Sequence, residues 1–132
     1  SNARILGETL VKNGLRLVSG GTDTHLILVD LTAFGISGKQ AEQALEEAGI
    51  TVNKNMIPFD TRKPMEASGI RIGTPALTTR GMKEEEMKTI GGWIARILEN
   101  PDDAHLKNDI RNQIAELCSH FPLHKGVFEQ ED

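Results

Sequence analysis

Arg71 stands between Ile70 and Ile72, in a stretch that otherwise holds only glycine and apolar residues. A charge in such a stretch needs a partner or a route to water. The planar fork of a guanidinium matches a carboxylate bidentately, so an arginine held on a strand can orient a carboxylate ligand. On position alone, an outward arginine on an edge strand, or one paired with an internal Asp or Glu, carries more weight. Asn53-Lys54-Asn55 is the second candidate. A carboxamide presents donor and acceptor side by side, as the edge of a heterocycle does, although turn chemistry is the plainer reading of two asparagines before a loop.

Other residues offer less. Gly20-Gly21 could turn amides toward an anion, but the pair lacks the strand-turn-helix setting of a phosphate loop and reads as a simple turn. Cys118, His120 and His124 invite a metal reading that Pro122 defeats, because it interrupts the helix that would align the histidines. No metal is expected. His25 reads as structural, Cys118 as a small core residue and Trp93 as core or domain-interface packing. Glu84, Glu85 and Glu86 read as a solvated first turn that suits the helix dipole.

The elements that must position these residues follow from apolar periodicity. Residues 4–12 place Ile5, Leu6, Thr9 and Leu10 at helical spacing, and Asn13-Gly14 ends the helix. Leu15 to Val18 and His25 to Leu31 read as strands around a turn at Ser19 to Asp23, close enough in sequence for an antiparallel hairpin. The run Leu26-Ile27-Leu28-Val29 predicts a strand buried on both faces. Ser37-x-x-Gln40 has the form of a capping box, Ala41, Ala44, Leu45 and Ala48 line one helix face, and Gly49 suits a left-handed cap. Ile50 to Asn53 predicts a short strand. Residues 55–68, with Pro58, Asp60 and Pro64, form a loop long enough to be functional or disordered. A strand follows over Gly69 to Ile72 and stops at Gly73-Thr74-Pro75.

Two longer helices finish the pattern. The first carries Met87, Ile90, Ile94, Ile97 and Leu98, and the second carries Leu106, Ile110, Ile114 and Leu117 behind a cap at Asp102 or Asp103. Pro122 closes it, and residues 124–132 form a polar tail. The predicted class is α+β: a small, mostly antiparallel sheet with helices packed on one face. Ser1-Asn2-Ala3 reads as an expression-tag remnant, 4–123 as one domain and 124–132 as a tail.

The 132 residues, with 19 acidic against 15 basic side chains, suit one domain and disfavour a phosphate backbone as partner. No apolar run reaches the ~20 residues of a membrane span, and the start lacks a signal-peptide pattern. Neither nucleic acid nor membrane is an expected partner. A single cysteine fits a reducing, cytoplasmic location.

Three strings in order resemble the serine hydroxymethyltransferase family: Leu17 to His25, Gly49 to Asn55, and Ala67 to Gly81, the last being Ala-Ser-Gly-Ile-Arg-Ile-Gly-Thr-Pro-Ala-Leu-Thr-Thr-Arg-Gly. The resemblance runs from about Arg4 to Leu123 and falls in the family's C-terminal region, the small domain of a fold-type I pyridoxal-phosphate enzyme. Thr24 departs from the family's usual asparagine, so no chemistry is assigned to that turn. The resemblance implies transfer of the hydroxymethyl carbon of serine to tetrahydrofolate, with pyridoxal phosphate as the parent's cofactor. It implies that Arg71 holds the carboxylate of serine or glycine and that Asn55 hydrogen-bonds the folate pterin. It further implies a parent homodimer or homotetramer and, as partner, the chain's own N-terminal cofactor domain. None of the eight lysines has the family's setting of threonines and a histidine, and His124-Lys125 copies only its final dipeptide. No catalytic or cofactor-binding residue is therefore expected here, and the chain by itself should be inactive. The rival readings are a free-standing regulatory or ligand-binding module of the same fold, and the small domain of another pyridoxal-phosphate enzyme.

Overall fold

The computed structural model describes residues 2–18, 26–73 and 82–120. The expected turn at Ser19 to Asp23, His25, the Thr74-Pro75 strand stop, Pro122, His124 and the tail lie outside the described residues. Helix α1 (Asn2–Lys12) leads to β1 (Arg16–Leu17), β2 (Leu26–Asp30), a 3-10 turn (Thr32–Phe34), α2 (Gly38–Glu47), β3 (Asn53–Asn55), β4 (Gly69–Gly73), α3 (Glu84–Glu99) and α4 (Ala104–Ser119). The strands form one antiparallel sheet in the order β1-β2-β4-β3. This is the predicted α+β class.

Side chains alternate across a pleated strand, and here the alternation sorts the residues onto two unlike faces. Ile27 and Val29 of β2 and Ile70 and Ile72 of β4 are buried, joined in the core by Leu6 and Leu10 of α1, Leu45 of α2 and Met87, Ile94 and Leu98 of α3. Leu26 is exposed and Leu28 half-buried, so β2 is covered on one side only. The expectation of a strand buried on both faces is therefore corrected. The apolar run satisfies the core with alternate residues, and no described helix covers the other face.

Local chemistry explains the helix boundaries. Ser37 Oγ accepts from the Gln40 amide at 3.1 Å while Gln40 Oε1 accepts from the Ser37 amide at 2.8 Å, completing the predicted capping box. At the other end of α2, Gly49 adopts a φ of 91°, its amide donates to Glu46 and that of Ile50 donates to Leu45. These two bonds are a Schellman motif, which occupies Ile50 and delays the next strand to Asn53–Asn55. The strand expected at Ile50 to Asn53 is thereby shifted toward the C-terminus. In α3, Glu86 does more than sit in a solvated turn, since its carboxylate accepts the Lys83 amide at 2.7 Å. Asp103 caps α4 by accepting the Leu106 amide at 2.9 Å. Along α4 only Ile110 is fully buried, with Leu106, Ile114, Leu117 and Cys118 half-buried against the core. Trp93 is buried in α3, as core packing requires.

Asn2 and Ala3 belong to α1: the Asn2 carboxamide donates to the Met82 carbonyl at 2.9 Å, and Ala3 is buried. No helix among the described residues is long and apolar enough to cross a membrane.

At the start of α2 two backbones lie close together. A Cβ on Gly38 would stand 2.3 Å from the Gly69 carbonyl oxygen, so only glycine lets the start of α2 lie against β4. Gly38→Ala should lower stability by about 1–3 kcal/mol, the usual cost of forced overpacking. Gly92→Ala, where a Cβ meets nothing within 4 Å, should instead gain up to about 1 kcal/mol from helix propensity. Urea unfolding of the two variants checks both signs.

Candidate functional site on the open sheet face

β4 is a central strand, hydrogen-bonded to β2 on one side and β3 on the other. Arg71 lies at its middle, paired with Leu28 and with Asn53, and its side chain is on the exposed face. Among the described residues it has no ion pair or hydrogen-bond partner. The edge-strand position is thus corrected and no internal carboxylate partner is found among the described residues, but the outward direction holds: Arg71 is on a central strand with its side chain exposed and turned away from the core.

Asn55 pairs with Gly69, two residues before Arg71. It therefore shares the open face with Arg71 as a diagonal neighbour, about 7–8 Å away. Its carboxamide donates to the Met56 carbonyl at 3.0 Å, leaving its oxygen unused in that bond. The same register brings Asn53, which is exposed, directly beside Arg71. The sequence offers Asn53 and Asn55 together as candidate carboxamides and the resemblance gives the pterin role to Asn55 alone; their spacing of two is the signal that puts both on one face of a strand. Lys54, between them, points to the helix side: its amide donates to Glu42 at 3.0 Å and its ammonium stands 3.7 Å from the same carboxylate.

The connection from β3 to β4 is organised by Asp60, which the sequence reading left as one loop residue among several. One carboxylate oxygen accepts the amides of Ile57 (3.2 Å) and Ser68 (2.8 Å). The other accepts the Arg62 amide (2.8 Å) and the Ser68 hydroxyl (2.6 Å). An Asp bonding the amide two residues on is a turn device that the sequence alone could have suggested. Burial by itself would push the carboxyl up. The Ser68 hydroxyl and the three amides together outweigh it, bringing Asp60 from its ordinary 3.8 down to about 2.

The far end of the connection is fastened to α2 and β2. The Gly38 and Lys39 amides donate to the carbonyls of Ala67 and Glu66, each at 2.9 Å, and the Leu31 amide donates to Ser68 at 2.9 Å. Phe59 and Ala67 take positive φ values of 57° and 59°, a conformation uncommon for side-chain-bearing residues. The connection leaves Phe59 and Met65 exposed.

The other candidates are not gathered at this face. His120 follows the end of α4, Cys118 is half-buried beside α3, and Gly20-Gly21, His25 and His124 lie outside the described residues. Of the described lysines, Lys12, Lys39, Lys63, Lys83 and Lys88 are exposed, while Lys54 and Lys107 are paired with Glu42 and Glu47.

The described residues thus form a small antiparallel sheet, helix-covered on one side and carrying an arginine and two asparagines on the other. Residues 1–94 match the family model described as serine hydroxymethyltransferase. Curated relatives bearing that name include those of Rhodopirellula baltica (61% identical over 122 residues), Methanospirillum hungatei (58% over 126) and Koribacter versatilis (56% over 124). These alignments cover 92%, 96% and 94% of this chain but 29%, 30% and 29% of the relatives, so the chain spans under a third of their length. The chain belongs to the serine hydroxymethyltransferase family.

The Asp60 bonds give a pH signature whose sign is set by the lowered pKa. Their stabilisation is complete above the unfolded value of 3.8 and is lost as pH falls from there through about 2. The stability difference between wild type and Asp60→Asn, measured by urea unfolding, should be constant from pH 7 to about pH 5 and shrink below about pH 4. A difference that persists undiminished at pH 2 contradicts the assignment.

Proposed function

We propose that this chain is the substrate- and folate-contacting C-terminal domain of a serine hydroxymethyltransferase, an enzyme that moves the hydroxymethyl carbon of serine to tetrahydrofolate and releases glycine. The observation that carries the reading is the placement of Arg71 and Asn55 as diagonal neighbours on the uncovered face of the sheet.

In this reading Arg71 grips the amino-acid carboxylate. A guanidinium fixed on a central strand loses little freedom on binding, and two parallel N–H bonds set the rotation of the ligand about its α-carbon. Asn55 supplies paired donor and acceptor positions to the pterin edge. Asn53, beside Arg71, adds a third polar group to the same row. Pyridoxal phosphate, held by the rest of the parent protein, supplies the electron sink. This chain contributes binding and orientation and has no activity alone.

Surface left open supports the same division of labour. Leu26 on the open face and Phe59 and Met65 on the β3–β4 connection are exposed, as suits surface that packs against a larger partner domain. The parent is a homodimer or homotetramer in this proposal. The lone cysteine agrees with a cytoplasmic location.

In the full-length enzyme, Arg71→Ala should lower kcat/KM for serine at least about tenfold, because each charge-assisted bond removed is worth roughly 1.5–3 kcal/mol. Arg71→Lys keeps the charge but not the fork and should recover only part of the loss. Asn55→Ala should raise the KM for tetrahydrofolate while leaving that for serine within about twofold. Unchanged serine kinetics in Arg71→Ala removes the carboxylate role.

A further inference from the structure

β3 is an edge strand of three residues, and Asn55 is its last. Arg71 is held from both sides, by Leu28 of β2 and Asn53 of β3. Asn55 has neighbours on one side only, and beyond it the chain leaves the sheet. Besides its pairing with Gly69, what keeps Asn55 in place comes from the connection itself.

Asp60 supplies it. The pairing of β3 with β4 ends at Asn55 and Gly69, and just outside that pair stand Ile57 on one arm and Ser68 on the other. A single carboxylate oxygen of Asp60 accepts both of their amides, at 3.2 and 2.8 Å. The second oxygen takes the Ser68 hydroxyl at 2.6 Å and the Arg62 amide at 2.8 Å, so all four bonds converge on one side chain. Ser68 is buried and is itself tied to the end of β2 through Leu31. Packing reinforces the clip, for a Cβ on Gly69 would lie 2.8 Å from Ile57 Cγ2 and 2.7 Å from the Val29 carbonyl oxygen. Glycine at 69 thus lets Ile57 fold back over the strand beside Asn55. Register matters here because a slip of one residue would carry Asn55 to the opposite face.

We infer that Asp60 is a positioning residue, which holds Asn55 on the open face beside Arg71 by closing the mouth of the β3–β4 connection. The inference rests on the folate role proposed for Asn55. It assigns Asp60 no contact with either substrate. Its effect falls unequally, on the edge-strand asparagine and hardly on the central arginine.

Asparagine at position 60 keeps one acceptor oxygen and places an amino group where two N–H donors need the other. In the full-length enzyme, Asp60→Asn should raise the KM for tetrahydrofolate about tenfold and leave that for serine within about twofold. Because Asp60 acts through Asn55, the same substitution should add almost nothing in an Asn55→Ala background. Ser68→Ala removes only one of the four bonds and should move the tetrahydrofolate KM the same way by a smaller factor, deciding the question even where Asp60→Asn does not fold. An unchanged tetrahydrofolate KM in Asp60→Asn, or in Ser68→Ala where Asp60→Asn does not fold, overturns the inference when Asn55→Ala raises that constant. Equal losses for both substrates, or full additivity in the double variant, overturn it as well. Asn55→Ala with normal tetrahydrofolate kinetics removes the folate reading, and this inference with it.

Discussion

The fold turns on the place where Gly38, at the start of α2, touches the backbone of Gly69, at the start of β4. Four segments meet there: the helix, the central strand, the end of β2 through Leu31, and the β3–β4 connection through Glu66 and Ala67. The helix's first amides, which have no partners inside the helix, find them in that connection. Because the two backbones are in contact, the connection cannot move without disturbing both the helix and the strand that carries Arg71. Rigidity at the proposed site is therefore borrowed from the core of the domain.

A second constraint sets what the site can be. Helices cover one face of the sheet and no described helix covers the other. The uncovered face carries Arg71, Asn53 and Asn55 alongside Leu26 and Leu28, a mixture suited to contact with ligand and protein together. The serine hydroxymethyltransferase relatives are more than three times as long as this chain, and in the proposed reading the rest of such a protein is the counterpart of that face.

Much of this was legible in the residues. The capping box at Ser37 and Gln40, the left-handed cap at Gly49 and the apolar stripe of α3 depend on neighbours within a few positions, where spacing carries the information. The two-sided burial of β2 was misread because an apolar run does not say whether one face or two will be covered. The strand at Asn53–Asn55 came later than expected because Ile50 is spent on the helix cap. Arg71 and Asn55 were recognised through a family resemblance, yet their common face depends on pairing between strands, which no local pattern contains. Asp60 escapes a local reading for a related reason: two of its four bonds are local, from the amides of Ile57 and Arg62, but the other two come from Ser68 across the mouth of the connection.

The central claim is that Arg71 is a carboxylate clamp. It is tested most directly by comparing the binding of serine and of serine amide, in which a carboxamide replaces the carboxylate, to the full-length enzyme and to its Arg71→Ala variant. The account predicts that the wild type prefers serine by at least about tenfold and that the variant loses most of this preference. A preference of the same size in both proteins contradicts it.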